Sequence, residues 1–423
     1  MPVTQSVLSG GNRLDVTLMS QSTQIEKVAV IGYGTTQKIK DATGTISHID
    51  EKDLQNAPMA STVQSVLQGR AAGVNVQVQS ASPTSPISVI IRGQSSLSGN
   101  NQPLWVIDGI PEYNTALTGA NSSSLSGSVS NILYSLNLND VSSIDILKDA
   151  SATAIYGSRA AHGVIVVTTK SGLAGRKPTI EFSSRIGFTQ MDFNDYDYFT
   201  AEDYKKFTRA AVRKEFLNRG TMDYFTRMYL DEAQFFSMNT SEVDPWAVND
   251  LAGAYYDEDN YWMGLATQNP INQQYNLSLR GGTDRLSYSA SAYANLVDGI
   301  VKTGFSNLYG GSLRLEAKIT DNLKMRAYGS GSTRKTQDKD NMLDVLKKCR
   351  PDLPMYNEDG SIFTRDAYTA NPLTIMKNTN NGTSEEFKPN LALDYPFIDG
   401  LTFSTEGYIA YHNREFLFYN RSS

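Results

Sequence analysis

Beyond Arg176 the chain alternates apolar and polar residues over lengths suited to strands that cross a bilayer. Ile180, Phe182, Ile186 and Phe188 stand against Glu181, Ser183 and Arg185, and Tyr275, Leu277 and Leu279 against Asn276, Ser278 and Arg280. The most regular stretch sets Leu286, Tyr288, Ala290, Ala292, Ala294 and Leu296 against Ser287, Ser289, Ser291 and Asn295. Segments near 307–319, 322–331, 387–395 and 400–413 repeat the pattern, for about seven strands in all. Their connections alternate too. Short turns at 281–284, 320–322 and 398–400 take turns with longer loops at 190–271, 297–305 and 332–386. A soluble β-sandwich also has alternating strands, but nothing in it makes every second connection long. Tight turns on one side and long loops on the other are the habit of a bacterial barrel. On this reading the apolar members face lipid and the polar members a wet lumen, so that an arginine at Ala292 is costly and one at Ser291 tolerated.

Residues 41–172 follow a different grammar, that of a compact α+β domain. VNVQVQ alternates strictly, and ISVIIRG, PLWVIDG, SIDILKD and GVIVVTTK read as four more strands, with links rich in Ser, Gly, Asn and Pro. Ser61 to Gln64 has capping-box spacing ahead of a short helix whose face is Val63, Val66, Leu67 and Ala71. Thr200 to Asp203 opens another helix inside the first long loop, with Tyr204, Phe207 and Ala211 on one face. Upstream, residues 1–24 hold one short alternating strand. Residues 25–40 hold a β-branched run, KVAVIGYGTTQK, that looks like an edge without a partner.

Composition narrows the function. A chain 40% hydrophobic and 19% charged is not disordered. No run nears the apolar length of a spanning helix, and a mean hydropathy of -0.36 does not argue against barrel strands that are polar at every second position. A net charge of -6 gives no basic footprint for nucleic acid. The lone cysteine, Cys349, has neither a disulfide partner nor metal-ligand companions. The three histidines, His48, His162 and His412, lie far apart with no Ser- or Cys-centred motif. GYGTTQ lacks the third glycine and the helix of a dinucleotide loop, and DEDNYW at 257–262 lacks EF-hand spacing. The expectation is therefore no enzyme, no cofactor and no metal. The first residues lack the charged and apolar regions of a signal peptide, so the chain is expected to begin downstream of its true start.

Several strings together resemble the SusC/RagA-type branch of TonB-dependent outer-membrane transporters, typical of Bacteroidetes. They are VIGYGTTQK, SVLQGRAAGVNVQ, ISVIIRGQSSLSGNNQPLWVIDGIP, LNLNDVSSIDILKDASATAIYGSRAAHGVIVVTTKSG and YNLSLRGGTDRLSYSASAYANLVDGI. The likeness runs from about residue 12 onward. His162 stands where the family's string usually has Asn, and residues 1–24 keep only a remnant of the carboxypeptidase-regulatory-like extension. The resemblance implies a plug (41–172) followed by antiparallel transmembrane strands (176–423), an incomplete part of a barrel of about 22 strands. It implies import of an oligosaccharide or a peptide, powered through TonB, with a SusD-like surface lipoprotein as lid. A surface carbohydrate-binding or adhesin β-protein is the rival reading. Alone, an open sheet of this kind leaves a naked edge that lipid does not tolerate, so the chain is expected to be a non-transporting fragment.

Site residues follow from the same likeness. Glu26, Lys27, Val28, Ala29, Val30, Ile31, Gly32, Tyr33 and Gly34 resemble a Ton box, an extended segment that TonB captures by strand addition, for which β-branched residues suit. Arg92, Asp108, Asp145, Lys148, Asp149, Arg159 and Lys170 are charges in or beside apolar plug strands and are expected to pair with the barrel wall or within the plug. Gln94, Ser95, Asn100, Asn101, Trp105 and Tyr113 are expected to face the substrate.

Overall fold

The computed structural model describes residues 28–32, 35–38, 46–55, 66–78, 87–94, 101–112, 136–190, 199–207, 258–337, 342–363, 371–398 and 401–419. At its start, β1 (Val28–Gly32) folds back on β2 (Thr35–Lys38) as an antiparallel pair. The run expected to lack a partner thus has one in its own continuation. The backbone of β1 lies beside the plug strands β8 and β9 defined below.

The plug contains β3 (Ile46–Asp50), β4 (Val74–Val78), β5 (Ile87–Ile91), β6 (Leu104–Ile107), β7 (Ile110–Glu112), β8 (Val141–Leu147) and β9 (Val164–Thr169). Five of these form a mixed sheet in the order β3-β8-β9-β6-β7, and β4 pairs with β5 separately. Only β6 and β9 run parallel. The central strands read as continuous apolar runs because both faces are covered. On one face Trp105, Ile107, Ile144, Ile146, Ile165 and Val167 pack with Val66, Leu67 and the β4–β5 pair. On the other, Val106, Leu147, Val164 and Val166 pack with Tyr156 and Ala160 from the helical turns at 150–160. β6 and β7 are joined by Asp108 and Gly109, both at positive φ (49° and 90°), the mark of a two-residue hairpin turn. The turn thereby fixes where the Asp108 carboxylate projects.

Each of the seven alternating segments forms wall strand. These are β10 (Thr179–Phe188), β11 (Ile271–Gly282), β12 (Leu286–Asp298), β13 (Phe305–Lys318), β14 (Lys324–Gln337), β15 (Thr379–Ile398), and the pair β16 (Leu401–Tyr408) and β17 (Tyr411–Tyr419). All pairings are antiparallel between sequence neighbours, and β15 pairs with both β16 and β17. The two short strands are one line in register. Asn390 faces Tyr408 and Phe387 faces Tyr411, with no residue gained or lost between. The interruption falls where Pro389 has no N–H to give, while Ile409 N still donates to the Pro389 carbonyl at 3.0 Å. This is how a proline sits inside a long strand.

The two faces of the wall differ in chemistry. Ile180, Phe182, Leu277, Leu313, Phe387, Leu391 and Phe403 are all exposed on the outer face. Pairing aligns Ser278, Ser291, Ser312, Ser330 and Lys388 across five strands on the inner face. At the end with long connections, Trp262, Met263 and Ala266 from the first loop bury against Met342, Leu346 and Leu353 from the third. Val301 of the intervening loop packs on the same cluster. Trp262 Nε1 donates to the Arg350 carbonyl at 2.9 Å, Asn260 Nδ2 to that of Leu353 at 2.8 Å, and Lys302 N to that of Ala266 at 2.8 Å. Three loops thus share one small core. Burial there pushes the Cys349 thiol pKa up to about 12.

Among the described residues no helix is long and apolar enough to cross a membrane, which says nothing of strands.

Candidate functional site: the plug–wall interface

The β6–β7 hairpin carries the ion pairs that fasten the plug sheet to the wall. Asp108 Oδ2 meets Arg314 of β13 at 2.5 Å, and both side chains are mostly buried, at 11% and 15% exposure. Thr169 at the end of β9 ties the pair together. Its N–H and hydroxyl donate to Asp108 at 2.9 and 2.8 Å, and its oxygen accepts from Arg314 at 2.8 Å. The Arg314 guanidinium also lies 5.2 Å from the centre of the Tyr328 ring, at cation–π range. At the far end of the hairpin, Lys388 Nζ donates to Glu112 at 2.9 Å and lies 3.3 Å from Glu386, which in turn meets His412 at 3.3 Å.

A second set of contacts comes from the segment leading into β8. Asn137 Nδ2 donates to Asn276 at 2.7 Å, and Ser291 Oγ to Asp140 at 2.5 Å. Desolvation raises the Asp140 pKa above its ordinary value, against the opposing pull of Ser291, Asn137, Lys170 and Arg280. Ser289 Oγ donates to the Lys170 carbonyl at 3.3 Å. Small hydroxyl side chains let the wall approach the plug backbone closely. Ser291 consequently faces the plug and not open water, which corrects the expectation that an arginine fits there. Between these fastenings and β15–β17 lies a cavity of about 630 Å³, bordered by Glu112, Asp140, Tyr293, Tyr328, Tyr408 and His412.

Of the seven charges singled out in the sequence, Asp108 bonds the wall through its side chain. Lys170 reaches it through its carbonyl, while its ammonium pairs with Glu51 at 2.7 Å. Asp145 is wholly buried in the plug and bonds His48 at 2.6 Å, directly opposite it across β3 and β8. Arg92 pairs with Asp149, also within the plug. Lys148 donates to the Ala72 carbonyl at 2.6 Å, and burial, then the neighbouring Arg92, lower its pKa while Asp149 opposes them. Arg159 lies exposed on the 150–160 turns. Glu112, Asn137 and Asp140 were missed. Glu112 follows an Asp-Gly step between apolar residues, a hairpin signal that predicts a second strand and hence an edge against the wall.

Trp105 is a correction. It is 6% exposed, and the parity of β6 turns it into the plug core and away from any substrate. Gln94 is exposed just beyond β5 and Asn101 is half-buried ahead of β6. Ser95, Asn100, Tyr113, Glu26, Lys27, Tyr33 and Gly34 lie outside the described residues, as do the capping box at 61–64 and Ala211. Residues 201–207 are helical, with Asp203 N bonded to the Thr200 hydroxyl at 3.2 Å.

The TonB-dependent receptor plug domain, as a family, matches residues 38–164. TonB-dependent receptor P26 of Formosa agariphila is 31% identical over 392 residues, which cover 90% of this chain and 34% of the relative. TonB-dependent receptor SusC of Bacteroides thetaiotaomicron is 27% identical over 412 residues, covering 91% and 36%. The chain spans only about a third of the length of these curated relatives. In the solved structure of the RagAB peptide importer in its open-open state, one chain superposes with a TM-score of 0.70 at 25% identity, over 92% of this chain and 42% of that one. Plug sheet, wall strands and these likenesses agree: the chain belongs to the SusC/RagA-type TonB-dependent transporters.

Proposed function

We propose that the protein imports a nutrient across the bacterial outer membrane by TonB-dependent transport, this chain supplying the plug and part of the barrel wall. The observation that carries the reading is a plug held to the polar face of a sheet by a few charged and hydroxyl contacts, while the opposite face is apolar. That arrangement suits a closed pore in lipid. Covalent chemistry has no place in it, and the relatives are named receptors or importers. An oligosaccharide or a peptide is the cargo, the peptide by likeness to the RagAB peptide importer. A SusD-like lipoprotein serves as the lid. The segment Glu26–Gly34 serves as the Ton box, since strand addition asks chiefly for backbone in extended form and Val28–Gly32 adopts it.

The test uses the complete transporter in cells. Val30→Pro removes a backbone donor from that segment. Uptake of labelled substrate is expected to collapse while surface binding persists. Unchanged uptake overturns the Ton-box assignment.

A further inference from the structure

The plug sheet ends in a weakly held strand. β7 is outermost in the order β3-β8-β9-β6-β7, and among the described strands its three residues pair with β6. One of them, Pro111, has no N–H to give, as suits an edge. All three are half-buried, whereas Trp105, Val106 and Ile107 of β6 are buried in the core. The two ends of the hairpin are also held differently. Asp108 is anchored within the plug as well as to the wall. Its N–H donates to the Val167 carbonyl at 2.9 Å, and its carboxylate accepts from Thr169. Glu112 reaches the wall through Lys388, which has a second carboxylate, Glu386, at 3.3 Å. Releasing Glu112 therefore strands no charge on the wall. Between the two ends, Gly109 at a φ of 90° supplies a pivot.

Voids flank this hairpin on both sides. The cavity of about 630 Å³ is bordered by Ile110, Pro111 and Glu112, with Ser312 and Lys388 of the wall. A second void of about 210 Å³ is bordered by the turn residues Asp108 and Gly109, with Glu316, Arg326, Asn390 and Glu406. Tyr328 borders both. β13 and β15 each run from a longer connection to a short turn, and Ser312 precedes Glu316 as Lys388 precedes Asn390. The larger void therefore lies towards the long connections and the smaller towards the short turns.

We propose that β7 is a gate: it swings about Gly109 when Glu112 leaves Lys388, and joins the two voids into one passage along β13–β16 while the rest of the plug stays seated. The proposal rests on the transport reading above and adds the route. Asp108 with Arg314 is then the fixed post and Glu112 with Lys388 the latch. Opening costs one ion pair and a three-residue edge, and both apolar faces of the plug sheet remain covered.

The experiment follows the conductance of the purified complete transporter in a planar bilayer, with KCl on both sides and urea raised stepwise. Potassium and chloride are the probe. Neither cargo nor TonB takes part, so failure of this route and failure of TonB-driven import are read separately. Cys349 and any other cysteine are first replaced by Ser. Three cysteine pairs are then bridged, one per sample, with a short thiol cross-linker that a reductant removes. Glu112→Cys with Lys388→Cys spans the latch, and Asn137→Cys with Asn276→Cys spans another plug–wall contact. Asp50→Cys with Ser143→Cys joins β3 to β8, where the two residues stand opposite. Bridging the latch is expected to raise the urea concentration of the first conducting step by about 1 M or more, and reduction to reverse it. With either other pair the step is expected to be the same bridged and reduced. Glu112→Gln, which weakens the latch, is expected to lower it. If the Asn137–Asn276 bridge raises the step as far as the latch bridge does, the plug leaves as one body. If the Asp50–Ser143 bridge does so, the plug unravels. Either result overturns the gate, as does a latch bridge that changes nothing.

Discussion

Arg314→Leu isolates what the plug–wall pair contributes. Removing one partner of a buried ion pair costs about 3–5 kcal/mol, because a charge is left without compensation. Asp108 keeps two bonds from Thr169, which offset part of that loss. A charged hydrogen bond contributes about 1.5–3 kcal/mol, so the expected cost lies near 2–3 kcal/mol. This is roughly a 30- to 160-fold rise in the equilibrium for plug opening. Asp108→Asn is the matching variant, since Asn tolerates the positive φ of 49° that the turn imposes. The double variant is expected to cost clearly less than the sum, as neither charge is then stranded. Opening is read in the complete transporter, in a Cys349→Ser background. Maleimide labelling of Ala160→Cys, a buried plug position, is followed across a urea series. Additive single costs, or an Arg314→Leu cost under about 0.5 kcal/mol, would refute the pair as a fastening of plug to wall.

The two faces of the wall are separable by charge. Ala292→Arg on the outer face is expected to cost about 2–4 kcal/mol near the bilayer midplane, whereas Asn390→Arg faces inward beside Glu406 and is expected to be tolerated. Gel mobility of the unheated transporter folded in vesicles reads the difference, and equal tolerance would sink the barrel reading. Asp140 predicts a pH dependence. Its raised pKa means the native state holds the proton more tightly than the unfolded chain, so its contribution is full below the ordinary value of 3.8 and is lost as pH rises through the raised value. Asp140→Asn is expected to flatten that slope of the urea midpoint against pH. A slope unchanged by the substitution counts against the assignment.

Where a strand has one apolar and one polar face, period two suffices to locate it, and all seven wall segments were legible for that reason. Their upper ends were not. β14 runs to Gln337 and β15 begins at Thr379, through stretches such as SGSTRKTQ and TNNGTSEE whose residues are polar on both faces. In the plug, the apolar runs revealed five strands, but β3 was missed because ISHID breaks its pattern with His48. With β3 unseen, the partner of Asp145 was unseen too. Charge type alone does not encode which sheet a side chain faces, so plug-internal pairs and wall contacts looked alike. Asp108 differs from the others only in sitting on a hairpin turn. Parity would have placed Trp105 inward with Ile107, had the sheet been known to be covered on both faces.

The outer loops draw their shared core from positions scattered across roughly a hundred residues, with Trp262, Val301 and Met342 each supplied by a different stretch of chain. A loop built this way is not an independent module. Its length and apolar side chains are matched to those of its neighbours, so change in one must be answered in the others. Transplanting a single loop between relatives would leave half a core on each side. Exchange of the loops as a set keeps it whole, and variation at this surface is expected to travel in blocks.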